Sequence, residues 1–425
     1  MTEWVRFRKY ARRMRELRQL VTTDSPSPEA LWIMQLSTID EPLLPNLKTL
    51  ELTEIKGWLI PFIPLFLSPR TTSVLLTFEF ELPEVMVASA IISLPTLCPN
   101  LQVINLDMLP LDSPTITAAV SGMLLATDRD TLQEFHVDST LTEEASKVLY
   151  KLPDLRSLSV AIEEENPSPS ASLPNLTELK ITSYNEDAGW SRFFCGATFG
   201  KLESVTFYLQ SEETGDFLEV FKRAALSSSI QNTLSRFYLF ANFTWNPNYS
   251  SLLPFTQMVN LEIEFYCDDE CSRVDDDIVI SLSREMPKLK SLKLGDEPCR
   301  EFTAGVTAKG LVALARNCPN LSLLRIHFQL ASLSIPPASP RMTLGAESTA
   351  SWVDCALTGL DVGEIRLPKE SVLMVALTLL RIFPQISEIY HNDEGWWKVE
   401  NAIYYSRQIV NCSGKQRPLL HFGYP

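Results

Sequence analysis

Long apolar runs are missing from this chain. No stretch of about 18 uninterrupted apolar residues occurs, and the start, MTEWVRFRKYARRM, has no apolar core of the secretory kind. Neither a membrane-spanning nor a secreted protein is expected. Cysteine is thin: eight residues at 98, 195, 267, 271, 299, 318, 355 and 412, too scattered for a disulfide scaffold, which points to a reducing compartment, cytoplasmic or nuclear. The single close pair, Cys267-Asp268-Asp269-Glu270-Cys271, is acidic, but a tight zinc site needs about four ligands and no second pair or histidine lies near it in sequence. It reads as a solvated loop, so no metal is expected. Gly-x-Ser-x-Gly, Gly-x-Gly-x-x-Gly and P-loop motifs are absent, which removes the strained nucleophile turn and the backbone phosphate cradle. The four histidines (136, 327, 391, 421) have no partner in sequence that would orient them for acid–base work. The chain is expected to be no enzyme, with no catalytic residue and no cofactor.

What is present is the composition of a large folded core: 45% hydrophobic and 21% charged residues in 425. The net charge of −15 is unevenly spread. Residues 1–20 hold seven basic side chains against Glu3 and Glu16, so that segment carries +5 and the remainder −20. An acidic body repels phosphate backbones, so nucleic acid is not an expected partner.

One spacing organises the chain, an apolar residue followed by others three and five positions later. Its clearest copies are LPNLKTLEL (44–52), CPNLQVINL (98–106), LPDLRSLSV (152–160), LPNLTELKI (173–181), MPKLKSLKL (286–294) and CPNLSLLRI (318–326). Weaker copies sit at Leu132/Phe135/Val137, Leu202/Val205/Phe207, Leu234/Phe237/Leu239, Met258/Leu261/Ile263, Leu357/Leu360/Val362 and Ile386/Ile389, with a degenerate one near Ser73/Leu76/Phe78. The copies recur about every 28 residues, within the leucine-rich-repeat period. In a short strand the second and third apolar positions are two apart and share a face, while the residue between them points away. Between the strands lie segments of helical periodicity, at 83–97, 141–150, 275–286 and 307–318, with start signals such as Thr142 and Asp275. The fold class expected is α/β, a leucine-rich-repeat solenoid with a curved parallel sheet inside and helices outside.

The unit from Thr307 to Ile326, with Gly310-Leu311, Leu314-Ala315, Cys318-Pro319-Asn320-Leu321, Leu324 and Ile326, resembles the cysteine-containing leucine-rich repeat of F-box proteins. The (Leu/Cys/Met)-Pro-x-Leu openings, the irregular repeat lengths and the Trp4-Val5-Arg6-Phe7 plus Tyr10-Ala11 segment resemble the region after the F-box in fungal F-box-like proteins, over roughly residues 1–395. The resemblance implies the substrate-recognition part of an SCF-type ubiquitin ligase. The family's F-box opens with a Leu-Pro-x-Glu type motif, and nothing before Leu43 matches it. A fragment, or a member without the adaptor-binding module, is therefore expected, with a Skp-type adaptor as partner only where an F-box lies upstream. The other reading is a leucine-rich scaffold or inhibitor unrelated to ubiquitin.

Four regions are expected: a basic amphipathic helix over 1–21 with Phe7, Tyr10, Met14, Leu17 and Val21 on one stripe; a linker and cap over 22–42, with Thr22 to Glu29 as the linker; about 13 irregular repeats over 43–393; and a helical, aromatic capping segment over 394–425. The Pro/Ser stretches 163–172 and 334–341 read as long loops. The ligand is expected to be a protein on the concave sheet face, where Tyr208, Arg236, Tyr238, Phe240, Glu262, Glu264, Lys293, Arg325 and His327 point outward, as does His136. Exposed aromatics beside arginine have the composition of a binding hot spot. The competing expectation is that the Ala241 to Ser251 loop, with Phe243 and Trp245, folds over these rings.

Overall fold

The computed structural model describes residues 2–19, 28–36, 42–79, 81–110, 113–162, 172–183, 189–210, 217–227, 230–241, 247–265, 274–295, 305–326, 328, 355–363, 367, 371–391 and 394–413. Two compact units make up the chain, Met1–Thr214 with Arg223–Thr233, and Gly215–Lys222 with Leu234–Pro425. Each is an α/β stack of leucine-rich repeats.

In the first unit β1 (Glu16–Gln19), β2 (Thr49–Ile55), β3 (Ser73–Phe78), β4 (Val103–Asp107), β5 (Glu134–Val137), β6 (Ser157–Ala161), β8 (Glu178–Ser183) and β10 (Ser204–Leu209) lie side by side in chain order, all parallel. A separate parallel pair joins β7 (Ser172–Leu173) to β9 (Thr198–Phe199). The helices are α1 (Thr2–Ala11), α2 (Pro28–Leu36), α3 (Ile63–Phe66), α4 (Glu84–Leu97), α5 (Pro114–Ala126), α6 (Glu143–Leu149) and α7 (Gly189–Gly196). In the second unit β11 (Arg236–Ala241), β12 (Asn260–Phe265), β13 (Ser291–Leu294), β14 (Leu323–Ile326), β15 (Gly359–Gly363) and β16 (Glu388–His391) follow the same rule. Its helices are α9 (Asp276–Glu285), α10 (Ala308–Asn317), α11 (Val372–Ile382) and α12 (Glu394–Ser413), with Phe217 and Phe221 contributed by α8 (Phe217–Ser227).

The repeat spacing explains the core. Leu101, Ile104 and Leu106, or Leu289, Leu292 and Leu294, are fully buried, whereas the residues between them are only partly covered. Helices pack beside their neighbours, α4 on α5 and α9 on α10, and close the other side of that apolar layer. Thr142 and Asp275 cap their helices as the start signals predict, and Thr307 caps α10 in the same way, each side chain accepting from a backbone N–H of the first turn. Repeats are also stitched through their turns: Thr177 Oγ1 donates to the Arg156 carbonyl at 3.0 Å and Ser322 Oγ to the Lys290 carbonyl at 3.0 Å. The asparagine of the opening motif does the same, Asn100 Nδ2 reaching the Pro69 carbonyl and Asn175 Nδ2 the Pro153 carbonyl.

Three expectations need correction. The helix expected over 1–21 stops at Ala11, because Arg12 and Arg13 N–H groups close it onto the Arg8 and Tyr10 carbonyls; Glu16–Gln19 then forms β1, paired to β2. Tyr10 and Met14 are exposed and Ala11 is buried, so the proposed stripe is not the packed face, and the parallel sheet begins before residue 43. Within 22–42, Pro28 and Glu29 open helix α2 and do not belong to a linker. The degenerate copy is Thr71/Val74/Leu76, not Ser73/Leu76: Ser73 points outward, and Thr71, fully buried, takes the opening apolar position because its hydroxyl donates to the Leu47 carbonyl at 3.2 Å. At the C-terminus α12 runs over Glu394–Ser413 and buries Trp396, Val399 and Ile403. Most of 163–172 and all of 334–341 lie outside the described residues, and Ser172 belongs to β7.

Cys98, Cys318 and Cys355 are buried free thiols. Burial pushes Cys98 up to about 11 and Cys318 up to about 12, so both stay protonated at neutral pH, and a thiol that is not a thiolate is a poor nucleophile. Alkylation of the native chain at pH 8 is expected to spare all three until denaturant is added, as read by peptide mass mapping. Rapid native labelling of Cys318 would contradict its placement.

Candidate functional site

The outward face of the second unit's sheet carries most of the candidate residues. Parallel pairing in register places one residue from each of six strands in a single row: Tyr238, Glu262, Lys293, Arg325, Asp361 and Tyr390. The first five each stand between two buried apolar neighbours, as Lys293 does between Leu292 and Leu294, and Tyr390 follows the buried Ile389, so alternation turns them outward. Phe240 and Glu264 are paired one step further along their strands, and Arg236 stands beside Asn260 one step before.

The two cations of this row are both paired to acids. Lys293 Nζ lies 3.1 Å from Glu262 Oε2, and Ser291 Oγ donates to Glu262 Oε1 at 3.3 Å. Arg325 bridges two acids, with Nη1 at 3.8 Å from Glu264 Oε1 and Nε at 3.6 Å from Asp361 Oδ2. Tyr238 Oη donates to Glu264 Oε2 at 3.3 Å. The Arg325 and Glu264 side chains are each only 19% exposed, and Lys293 and Glu262 about a quarter. Single exposed ion pairs contribute about 0–1 kcal/mol to stability. Their larger effect here is on order: each pair holds long side chains in one rotamer, and an interface otherwise spends about 0.5–1.5 kcal/mol per such side chain on binding. Three carboxylates against two cations leave this network with a surplus negative charge, and tyrosines close the row at both ends.

Tyr208 belongs to the first unit, where the Lys180 ammonium lies 4.8 Å from its ring centroid. His136 also belongs there; its Nε2 is hydrogen-bonded to Ser157 Oγ at 2.8 Å, and burial lowers its pKa, which favours the neutral ring. His327, and the Phe243 and Trp245 of the covering-loop reading, lie outside the described residues, as do Cys267 and Cys271. Among the described residues no three His, Cys, Asp or Glu side chains gather as a metal site requires, and no helix is long and apolar enough to cross a membrane. Asp361 and Tyr390 were missed by sequence reasoning, although the signal existed. Asp361 stands between Leu360 and Val362 of a weak repeat copy, and Tyr390 follows Ile389 of the next.

No family model matches the chain, and no curated protein matches it. Similar solved structures include a protein of Bacteroides fragilis, at 11% identity and a TM-score of 0.35 over 69% of this chain and 71% of that one. Another is a chain in the crystal structure of the Rad7 and Elc1 complex in yeast, at 15% identity and a TM-score of 0.34 over 72% of this chain and 75% of that one. Both likenesses are distant.

Proposed function

We propose that the chain is a protein-interaction module and that the second unit's outward sheet face receives the partner. The observation that carries this is the six-residue row from Tyr238 to Tyr390, in which Lys293 and Arg325 are ion-paired to Glu262, Glu264 and Asp361 and Tyr238 is hydrogen-bonded to Glu264. Charged side chains held in fixed positions confer specificity, because a partner with the wrong charge pattern leaves buried groups unmatched. Arg236, Tyr238 and Phe240 supply the residue types that dominate binding energy. The role is recognition and not catalysis, exercised in the cytoplasm or nucleus.

The finer reading is substrate recognition for an SCF-type ubiquitin ligase, as the F-box-like repeat motif around Cys318-Pro319-Asn320-Leu321 suggests. Once a partner has been isolated, Arg236→Ala with Tyr238→Ala should weaken its binding by about 2 kcal/mol or more with the melting temperature unchanged. Unaltered affinity in the folded double variant removes this face. The partner's half-life in cells should lengthen when this chain is depleted; a constant half-life favours a scaffold or inhibitor with no part in ubiquitination.

A further inference from the structure

The chain has fewer cations than carboxylates, and on the second unit's sheet face Lys293 and Arg325 are matched to acids. At the edge of the first unit formed by β1 this matching fails. Lys48 N–H donates to the Arg15 carbonyl at 2.7 Å, which sets these two residues side by side where β1 and β2 begin. Arg15 Nη1 donates to the Asn46 carbonyl oxygen at 3.2 Å, and Arg70, in the turn before β3, donates to Oδ1 of the same asparagine. Asn46 is itself fixed, its Nδ2 donating to the Arg12 carbonyl at 2.8 Å. Two guanidinium groups thus share one uncharged residue, and Lys48 adjoins Arg15 along the backbone. The nearest acids in sequence, Glu16 and Glu51, are held by Arg18 at 3.6 and 3.3 Å. Among the described residues no carboxylate lies within ion-pair distance of Arg15, Lys48 or Arg70, and all three are exposed.

A structural role accounts for part of this. Lys201 Nζ donates to Asn175 Oδ1 at 3.0 Å in a later repeat, so a cation tied to the motif asparagine is part of the turn. That role uses one N–H of Arg70, and Arg15 spends one on the Asn46 carbonyl; each guanidinium has five. The remaining donors face solvent in forks that a neutral anchor already orients, and like charges held this close repel until an anion arrives.

We propose that Arg15, Lys48 and Arg70 form a docking site for an acidic stretch of a partner polypeptide, its Asp or Glu carboxylates taking the cations one by one. The three cations come from the turns before β1, β2 and β3, whose strands lie about 4.8 Å apart, so one extended segment can offer a carboxylate to each. An extended acidic peptide, with same-side residues about 6.7 Å apart, suits such a row. The rest of the chain, at −18, opposes extended polyanions such as a nucleic acid or an anionic bilayer, whereas a short peptide stays within about 8 Å, one Debye length, of the site. This site is on the other unit from the sheet-face row and does not rest on that reading.

The test uses the intact chain and a fluorescent peptide of alternating glutamate and glycine, followed by anisotropy at low salt. The peptide should bind, its glutamine counterpart should not, and Arg15→Gln with Arg70→Gln should weaken binding about tenfold or more. Arg18→Gln with Lys147→Gln, which removes the same charge from two cations already paired to acids, should change it less than about twofold. Lys48→Gln, whose side chain makes no hydrogen bond among the described residues, should weaken binding about threefold and serves if the arginine variant melts early. Equal loss in both double variants, undiminished binding in the Arg15/Arg70 variant, or tighter binding of a phosphoserine peptide, duplex DNA or phosphatidylserine vesicles overturns the proposal.

Discussion

Leu292→Asp should destabilise the second unit by about 4 kcal/mol or more, enough to lower its melting temperature sharply or abolish folding. Leu292 is fully buried on β13, between Leu261 of β12 and Leu324 of β14, which are fully buried as well. A carboxylate there loses hydration and finds no cation on the strands, since the residues in register with it, Phe237, Leu261, Leu324, Leu360 and Ile389, are all apolar and buried. The adjacent Lys293 points to the opposite face, so Lys293→Ala should cost about 1 kcal/mol or less. Urea denaturation of the two variants reads the strand alternation directly. Equal losses, or an unchanged melt for Leu292→Asp, would mean that the repeat register is misplaced.

The second large effect is expected at Asp276, on the first turn of α9. Its carboxylate accepts from Thr307 N at 2.8 Å, from Thr307 Oγ1 at 2.6 Å and from Gly310 N at 3.0 Å. One acid therefore satisfies donors at the start of α10, where the helix dipole favours negative charge, and ties one repeat to the next. Asp276→Ala should cost about 2–3 kcal/mol, and Asp276→Asn less, because the amide oxygen still accepts. Gly310 belongs to the same joint: a Cβ there would sit 2.5 Å from Val306 Cγ1 and 2.6 Å from Asp276 Oδ1, so Gly310→Ala should disturb the clamp even with the acid present. A stability loss for Asp276→Ala below about 0.5 kcal/mol would show that the clamp is ornamental. Comparable joints recur at Glu84 with Ser113, 2.6 Å apart, and at Glu219 with Ser251, 2.9 Å apart.

The repeat core could be read from the sequence because burial is periodic there. Leu289, Leu292 and Leu294 repeat the spacing of Leu321, Leu324 and Ile326, and strand alternation puts the last two of each triplet on one face. β1 could not, since Glu-Leu-Arg-Gln offers a single apolar residue, Leu17, and the strand exists by backbone pairing with β2. The degenerate copy was placed at Ser73 and not at Thr71 for a related reason: hydropathy does not show that a buried hydroxyl will find the Leu47 carbonyl. On the sheet face, alternation identified which side chains turn outward. The pairing of Arg325 with both Glu264 and Asp361 required the register of four strands, β12 to β15, and the sharing of Asn46 by Arg15 and Arg70 required contacts between separate repeats, which no local pattern encodes.

Side-chain footprinting of the chain with and without its partner tests the binding face most directly. Carbodiimide labelling of Glu262 and Glu264, and hydroxyl-radical oxidation of Tyr238, should all fall on complex formation, while the exposed Leu373 and Leu377 of α11 keep their reactivity. Protection of α11 with Tyr238, Glu262 and Glu264 unchanged would place the partner on the helical side and contradict the account.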